Sequence, residues 1–577
     1  MGRVYVAVGV VAAALLGVSV ATAAALRSSA FESWAARLAA QALAQATGQP
    51  ASVGRVRVDV GGVSAQEVRV GAGVLKVRQV RVDWDPWRLA TSLVHGRGGV
   101  DAVRRIILDA PVVALVRDGR GRWNLEDFFR PAPAAPGRPA EPLRAEVELR
   151  GGTVYFLDRQ LEDFRALVSG LGGRVALADL PLLRLELSGS VRAGGTARAS
   201  ASGWAHVQDG ALDLAVGVEG LPVRPWADYL LPNPRWRGLG GRVSGRFHLY
   251  GSASRLQVRA AAQLAEAAVQ LVREGITVQG VRGAVEVDGP LVSLRRLRAR
   301  VRGSEFLVQG QVRLAGSGAV ALEVEAQGAD LSLLRRLLPS VQVAPRGRLA
   351  GRVRILGPLD ALRVEGNVRT PLLDLGGLRF ADVRGRLRYG SGLLSLSEAS
   401  ARLSGGGLRG DVLVALSSEP RFLAVGEFAQ VPSEVAHALG LELPLRARLS
   451  GAVVAAGRPD EPEASGVVKA TAGSVRGHRV DAVEAVFHYE RGTLRLPAAR
   501  ARLEDASVWA WGRVDGTSLH LDVLARSLPV EDLLRAAGLR VEASGSLAAA
   551  GRLGGTIRSP TFAGSVLWES GRVGPLV

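Results

Sequence analysis

The residue types that could carry catalysis are few in this chain of 577 residues. There is no cysteine, which excludes thiolate nucleophiles, disulfide bonds and cysteine-ligated zinc or iron–sulfur centres. The seven histidines lack the spacing of a helical zinc site and are interpreted as surface or strand residues. Gly405, Gly407 and Gly410 match G-x-G-x-x-G, but no helix follows to receive a phosphate, so they predict a turn. We therefore expect no enzyme, no cofactor and no metal.

The basic charge does not point to nucleic acid. The net charge is +19 and the isoelectric point is about 11.2, values that are common among nucleic-acid-binding proteins. However, only Lys76 and Lys469 are lysines, and the arginines alternate with Val and Leu along the whole chain. Because they form no dense block beside aromatic stacking residues, a nucleic-acid partner is not expected.

The N-terminus contains an uncharged stretch, residues 4–26, between Arg3 and Arg27. At about 1.5 Å per residue, a helix of this length crosses a bilayer core of about 30 Å. We therefore expect a transmembrane anchor over residues 1–27. The alternative is a cleaved signal peptide, because residues 21–24 offer an A-x-A arrangement. Either reading predicts export of the rest of the chain.

Residues 28–130 are predicted to form a cap domain. Apolar residues at helical spacing predict a helix over 28–47, and a second short helix is expected over 88–94. Between them, alternation such as Val56 and Val58 predicts strands, and residues 106–115 are expected to form a strand pair. The tryptophans of this region, Trp84, Trp87 and Trp123, are interpreted as core or end-cap residues. A proline-rich stretch over 131–142 predicts a semi-rigid linker.

Beyond the linker the sequence repeats about every 100 residues. A short signature ending in Ser-Gly or Ala-Gly recurs at Gly245, Gly351, Gly451 and Gly545, and a short helix is predicted before each of these glycines. The predicted boundaries are a first short module at 143–244, full repeats at 245–350, 351–450 and 451–544, and the start of a further repeat at 545–577.

Each repeat is predicted to hold one short helix and strands of 5 to 9 residues joined by Gly-rich turns. One helix cannot cover the apolar face of so many strands, so the sheet must fold over on itself or another molecule must cover that face. We predict a mostly β fold, in which a transmembrane helix precedes an elongated, folded-over repetitive sheet with an apolar groove. The candidate lining residues are Val285, Val287, Val292, Leu294, Leu394, Leu396, Phe487, Leu494 and Leu496.

The order of these parts resembles the AsmA/TamB superfamily of envelope proteins, and its TamB-like members most closely. A stretch ending in Trp-Asn-Leu resembles the superfamily's Asp-Gly-x-Gly-x-Trp-Asn-Leu signature, and Tyr-x-x-Gly-x-Leu-x-Leu elements recur at 389–396 and 489–496. The residues that carry the resemblance in the cap are Trp84, Pro86, Trp87, Pro111, Gly119, Gly121, Trp123, Asn124 and Leu125.

This resemblance implies a single-pass inner-membrane protein with most of its chain in the periplasm. It also implies that the groove carries phospholipid between the inner and outer membranes, with an outer-membrane β-barrel or another envelope protein as partner. Two alternatives stay open. The chain could be an assembly factor that templates strands of outer-membrane proteins, or a passive β-solenoid whose apolar face is wholly self-packed.

Overall fold

The structure is a computed structural model with two compact units, Met1–Val301 and Arg302–Val577. The predicted anchor, Leu125 and the proline-rich linker lie outside the residues that it describes. Those residues are 29–59, 61–71, 73–94, 102–124, 144–160, 163–179, 181–206, 209–230, 236–252, 255–272, 275–314, 318–332, 345–375, 377–417, 419–439, 445–475, 478–531, 534 and 542–574.

Most of the first unit is β-strand, as the periodicity predicts. Its helices are α1 (Ser29–Thr47), α2 (Pro86–Val94) and α3 (Val223–Leu230). Its strands are β1 (Ala51–Ser52), β2 (Arg55–Asp59), β3 (Gly62–Val70), β4 (Leu75–Trp84), β5 (Val103–Arg117), β6 (Glu146–Asp158), β7 (Phe164–Ala176), β8 (Leu182–Arg192), β9 (Thr196–His206), β10 (Ala211–Pro222), β11 (Trp236–Ser252), β12 (Arg255–Leu271), β13 (Ile276–Asp288) and β14 (Leu291–Val301).

The second unit is also mostly β and contains a 3₁₀ helix, Ser433–Leu439. Its strands are β15 (Ser304–Arg313), β16 (Ala319–Asp330), β17 (Arg346–Pro358), β18 (Arg363–Leu375), β19 (Leu378–Gly390), β20 (Leu393–Leu403), β21 (Gly406–Ala415), β22 (Arg421–Pro432), β23 (Leu445–Arg458), β24 (Glu461–Val475), β25 (His478–Glu490), β26 (Thr493–Leu503), β27 (Ala506–Asp515), β28 (Ser518–Pro529), β29 (Ala543–Gly555) and β30 (Pro560–Val573).

Strands that are consecutive in sequence are neighbours within each sheet. In the first unit β1 and β2 both pair with β3, and each later strand pairs with the next up to β14. β5 and β6 pair in parallel, whereas those other pairs are antiparallel. In the second unit, consecutive strands from β15 to β30 pair antiparallel throughout. No helix among the described residues combines the length and apolarity that a bilayer crossing needs.

Helical segments separate sets of six strands. The 3₁₀ helix follows β22, and helical residues Val530 and Glu531 follow β28, so β23–β28 form one complete set. The predicted helices at 28–47 and 88–94 are confirmed as α1 and α2, and the helix expected before Gly245 is α3.

The expected strand length of 5 to 9 residues is wrong, because strands β6–β30 run from 10 residues in β15 to 17 in β11 and β12. β-Bulges explain the error. In β20, Glu398 adopts a φ of 53°, and the register with β21 shifts between Leu396 and Ala399. The apolar alternation therefore changes parity at Glu398, and one long strand looks like two short ones in sequence. Likewise, residues 106–115 form part of the single strand β5, with Ala110 at a φ of 48°.

Bulges also explain the recurring Ser-Gly signature. The backbone N–H of Gln430, at a bulge in β22, donates a hydrogen bond to Oγ of Ser450 on β23 over 3.0 Å. The next residue, Gly451, must lack a side chain, because a Cβ there would lie 2.0 Å from the carbonyl oxygen of Val467 on β24. The serine thus satisfies a donor that the bulge frees from the ladder, and the glycine lets the next strand approach.

Within the cap domain, the described residues between 29 and 117 enclose an apolar core. Helix α1 contributes small side chains to it, so the helix backbone lies close to the strands. The buried members of the cluster are Ala35, Ala36, Ala39, Val56, Val63, Ala65, Val68, Val70, Val77, Val82, Trp84, Leu89, Ala102, Val103, Ile106 and, from beyond the cap, Ala145.

Candidate functional site

A continuous apolar row crosses the second unit from β15 to β28. Directly opposed residues of antiparallel strands share a face, so successive pairings trace which side chains line up. This row, named the Leu396 row, consists of Val308, Val324, Val353, Gly366, Leu387, Leu396, Val412, Ala424, Ala455, Ala464, Tyr489, Leu494, Val514 and Leu519. No member carries a charge.

The Leu396 row is half-buried over most of its course. From Val308 to Tyr489 each member keeps part of its surface in contact with solvent. The last three members, Leu494, Val514 and Leu519, are buried. A sheet face that packed fully on itself would bury such residues along the whole row. The structure therefore shows an apolar surface that is only partly covered by the protein.

A cluster around Leu494 covers the buried end of the row. Phe487 and Leu496 pack against Leu494 and its two buried neighbours, and so does Ile557 from the turn between β29 and β30. That turn is tied down by the backbone N–H of Ile557, which donates to the carbonyl oxygen of Thr517 over 2.8 Å. The structure thus brings three of the predicted lining residues together here.

The other predicted lining residues lie on comparable apolar faces. Leu394 belongs to a row parallel to the Leu396 row, where it opposes Tyr389 and Val414. In the first unit, Val287 opposes Val292 and Val285 opposes Leu294. The row through Val287 and Val292 runs from β6 to β14 as Leu149, Gly173, Leu187, Ala201, Val216, Phe247, Ala260, Val287 and Val292.

The opposite face of the second sheet carries exposed ion pairs. The guanidinium of Arg352, for example, lies 3.4 Å from Glu323 and 3.2 Å from Glu325, all on neighbouring strands. Such exposed pairs contribute little to stability. These charged side chains make this part of the face polar and hydrated, in contrast to the apolar row on the other face.

This opposite face is not polar throughout. Leu413 opposes Leu423 there, and Val425 opposes Val454, although each of these side chains is at least 40% exposed. Further along, the guanidinium groups of Arg500 and Arg526 lie 5.5 and 5.7 Å from the ring centre of Trp509. Sequence reasoning missed this second apolar surface, because a parity change at each bulge obscures which strand residues share a face.

The residues that carry the family resemblance hold the cap together. Asp85 begins α2: its Oδ1 accepts hydrogen bonds from the backbone N–H groups of Trp87 and Arg88, and its other oxygen pairs with Arg104. Desolvation acts to raise the pKa of Asp85, but these backbone hydrogen bonds and nearby arginines hold it below its ordinary value. Pro86 is the first residue of α2, where its missing N–H costs nothing.

Of the three tryptophans, Trp84 is buried in the cap core, as expected. The core interpretation is wrong for Trp87, which is 83% exposed. Trp123 is half-buried, with its ring centre 5.6 Å from that of Phe156. Pro111 is buried in β5 opposite Val77.

The turn after β5 is built around Asp118. Its Oδ1 accepts hydrogen bonds from the backbone N–H groups of Arg120 and Arg122, each over 2.9 Å. Those bonds, that from Arg122 first, lower the pKa of Asp118 against the opposing effect of desolvation. Gly119 lies in this turn, and Gly121 allows its φ of 83°. Asn124 then closes the turn: its amide nitrogen donates to Ala114 and its amide oxygen accepts from the N–H of Val116.

A buried carboxylate ties this turn to the first module. Asp158, fully buried at the end of β6, accepts hydrogen bonds from Tyr229 Oη over 3.0 Å and from the N–H of Gln160 over 2.9 Å. Arg117 Nη1 approaches it to 3.4 Å. Burial alone raises the pKa of Asp158, but these donors outweigh it and lower the pKa. The ring of Tyr229 stacks on that of Phe164, with the ring centres 4.1 Å apart. The buried carboxylate and its hydrogen-bond donors therefore lie beside packed aromatic rings.

The described residues hold no group of three or more His, Asp or Glu side chains arranged to bind a metal ion. His248, for example, lies 2.9 Å from Asp213. Gly405 lies in the turn between β20 and β21, as predicted. The prediction is wrong for Gly407 and Gly410, which lie within β21.

Comparisons with protein-family models, with curated proteins and with solved structures find no match to this chain.

Proposed function

We propose that the chain is an envelope protein whose apolar sheet face holds the acyl chains of phospholipids and carries them between the inner and outer membranes. In this proposal residues 1–27 anchor the protein in the inner membrane, and the remainder lies in the periplasm. The sheet folds over along its bulges to form a groove, and an outer-membrane protein receives the lipid.

The Leu396 row is the observation that carries the proposal. Its members are apolar on every strand from β15 to β28, yet they stay half-buried from Val308 to Tyr489. Exposed apolar surface of this continuity is costly in water unless a ligand covers it. Covering it with an acyl chain of about 16 carbons would contribute on the order of 10 kcal/mol, at about 0.8 kcal/mol per CH₂. Such binding needs no specific contact, so lipid can move along the row.

Two residues on adjacent strands make a matched test. Leu396 lies on the half-buried row and Leu413 on the opposite face, where it is 40% exposed. A photocrosslinking amino acid at Leu396 is expected to capture phospholipid in cells, and the same group at Leu413 to capture much less. The proposal fails if the two positions label equally.

A second test of the proposal uses the purified protein. The full chain, extracted in mild detergent, is expected to retain several phospholipids per molecule by native mass spectrometry. Leu396→Glu is expected to lower that number several-fold and Leu413→Glu to leave it unchanged. A stable, lipid-free protein would favour the self-packed solenoid instead. Protease accessibility in spheroplasts tests the orientation, because a periplasmic chain is digested from outside.

A further inference from the structure

Two arginines in the second unit lie over the ring of one tryptophan. The guanidinium carbons of Arg500 on β26 and Arg526 on β28 lie 5.5 and 5.7 Å from the ring centre of Trp509, on the strand between them. Both arginine side chains are exposed, and Trp509 is half-buried. In the part of the chain that the structure describes, neither arginine forms an ion pair with a carboxylate.

The acidic side chains nearest in the sheet pair with other cations. Glu484 on β25 opposes Arg500, but its carboxylate lies 3.2 Å from Nζ of Lys469. Asp522 on β28 lies 3.3 Å from Nε of Arg552. The two guanidinium groups at the tryptophan are therefore left without an acidic partner among the described strands.

Other arginines that lie over aromatic rings have such a partner. The guanidinium of Arg259 lies 5.1 Å from the ring centre of Tyr250, and its Nε lies 2.9 Å from Asp288. Arg117 also lies over a ring, and it approaches Asp158 to 3.4 Å. A guanidinium that places its flat face on a ring keeps its in-plane N–H groups available to an oxyanion. In these two cases a carboxylate of the chain is that oxyanion.

A cavity of about 310 Å³ lies beside the two arginines. Its lining includes Pro497, Trp509, Trp511, Leu524 and Arg526, so most of its wall is apolar and one side is cationic. Pockets for small molecules commonly measure about 300–1,000 Å³ and combine apolar walls with a few polar groups. The size of this cavity therefore suits a small ligand rather than a lipid with two acyl chains.

From this arrangement we infer that Arg500, Arg526 and Trp509 bind a small amphiphilic anion, with its phosphate or carboxylate group on the guanidinium groups and its apolar body in the cavity. Guanidinium groups form short, charge-assisted and often bidentate hydrogen bonds with such oxyanions. The site lies on the face opposite to the Leu396 row, so the inference does not depend on lipid binding there.

Phenyl phosphate is a suitable probe, because it joins an oxyanion to a small apolar body. Titration calorimetry of the full chain in mild detergent is expected to show binding about tenfold or more tighter than that of inorganic phosphate or of phenol, since each of these offers only half of the ligand. Absence of binding overturns the inference. Equal affinity for phenyl phosphate and either half contradicts it as well, because one part of the site would then contribute nothing.

Substitutions locate the binding. Arg500→Gln and Arg526→Gln are each expected to weaken phenyl phosphate about tenfold, and Arg500→Lys several-fold, because an ammonium group lacks the planar fork of donors. Arg259→Gln is the matched control: Arg259 also lies over a ring, but Asp288 already accepts its hydrogen bond. The urea midpoint should stay unchanged in the exposed Gln variants, which separates lost binding from lost folding. Equal weakening by Arg259→Gln would overturn the assignment.

A lipid headgroup is the competing ligand for the same guanidinium groups. Dihexanoylphosphatidylglycerol below its micellar concentration is expected to leave phenyl phosphate bound, because its two acyl chains exceed the cavity. If this lipid displaces phenyl phosphate at concentrations lower than those at which phenyl phosphate itself binds, the site belongs to a lipid headgroup and the small-molecule inference is wrong.

Discussion

The cap and the sheet of the second unit contain similar apolar residues but bury them to different extents. In the cap, Val56 and Val103 are each 1% exposed and belong to a closed core beneath α1. In the second sheet, Val353 and Val412 lie in an equally apolar row but remain half-buried. The difference lies in what covers the strands, since the cap has a helix across few strands and the sheet has short helices between sets of six. Alternation in sequence therefore specifies an apolar face, whereas helices decide whether that face is sealed.

The largest contrast is expected between two tryptophans. Trp84→Ala should destabilise the cap by about 3–5 kcal/mol, because it leaves a cavity in a sealed core. Trp511→Ala should cost less than about 1 kcal/mol, since Trp511 on β27 is 44% exposed. Urea unfolding, followed by hydrogen exchange in β3–β5 and β26–β28, measures each effect locally. Equal losses would remove the distinction between the regions.

The second-largest loss of stability is expected on substitution of the buried Asp158. Asp158→Asn leaves Arg117 without its anionic partner near a buried site, which should cost about 2 kcal/mol. The matched change Asp460→Asn, in an exposed pair with Arg458, should cost almost nothing.

The same carboxylate predicts a pH dependence. Since the folded pKa of Asp158 lies below its ordinary value of 3.8, its contribution is complete above that value and is lost as the pH falls through the folded pKa. The stability of the Asp158→Asn variant should therefore fall less steeply in acid than that of the parent chain. A parallel acid profile for both proteins would show that the carboxylate contributes nothing.

A smaller difference is expected within the Leu396 row itself. Leu494→Ala, at the buried end, should cost about 2–3 kcal/mol, and Leu396→Ala, at the half-buried part, about 1 kcal/mol. Added phospholipid should stabilise the parent chain but not restore Leu396→Ala to the same level. If both substitutions cost the same in lipid-free protein, the row is packed evenly and the groove proposal loses its basis.

The smallest effect is expected on the ion-paired face. Arg352→Ala should change stability by less than about 0.5 kcal/mol, because Arg352 and its two glutamate partners are exposed or half-exposed. The residual effect should shrink further in about 1 M salt, since screening weakens exposed pairs. A loss above about 1 kcal/mol that persists in salt would give this face a structural role.

Much of the fold follows from sequence. Alternation at Val285 and Val287 predicts a strand with one apolar face, and Gly48 and Pro50 mark where α1 ends. Strand length does not follow, because a non-glycine residue such as Glu398 at positive φ changes the parity without any special residue type. The sequence predicts the candidate site only in part. It shows which residues are apolar, but that Leu396 and Leu494 belong to one row follows only from the pairings of the intervening strands.

The exposed Trp87 and the buried Asp158 show where sequence reasoning stops. A tryptophan beside a buried one suggests core by its type, yet α2 turns its side chain outward. Asp158 looks like an ordinary turn residue, because its partner Tyr229 lies 71 positions away. Long-range partners of this kind leave no local pattern.

The six-strand period makes chain length adjustable. Val324 on β16 opposes Val353, and Gly426 on β22 opposes Val453; Val353 and Val453 each lie two residues after a signature glycine, Gly351 or Gly451. Excision of residues 353–452 would join Arg352 to Val453 within one hybrid strand and set Val453 opposite Val324. No side chain would change face, and Gly351 would take the place of Gly451. Gene duplication or deletion in whole periods can therefore lengthen or shorten such a sheet while its surface chemistry stays the same.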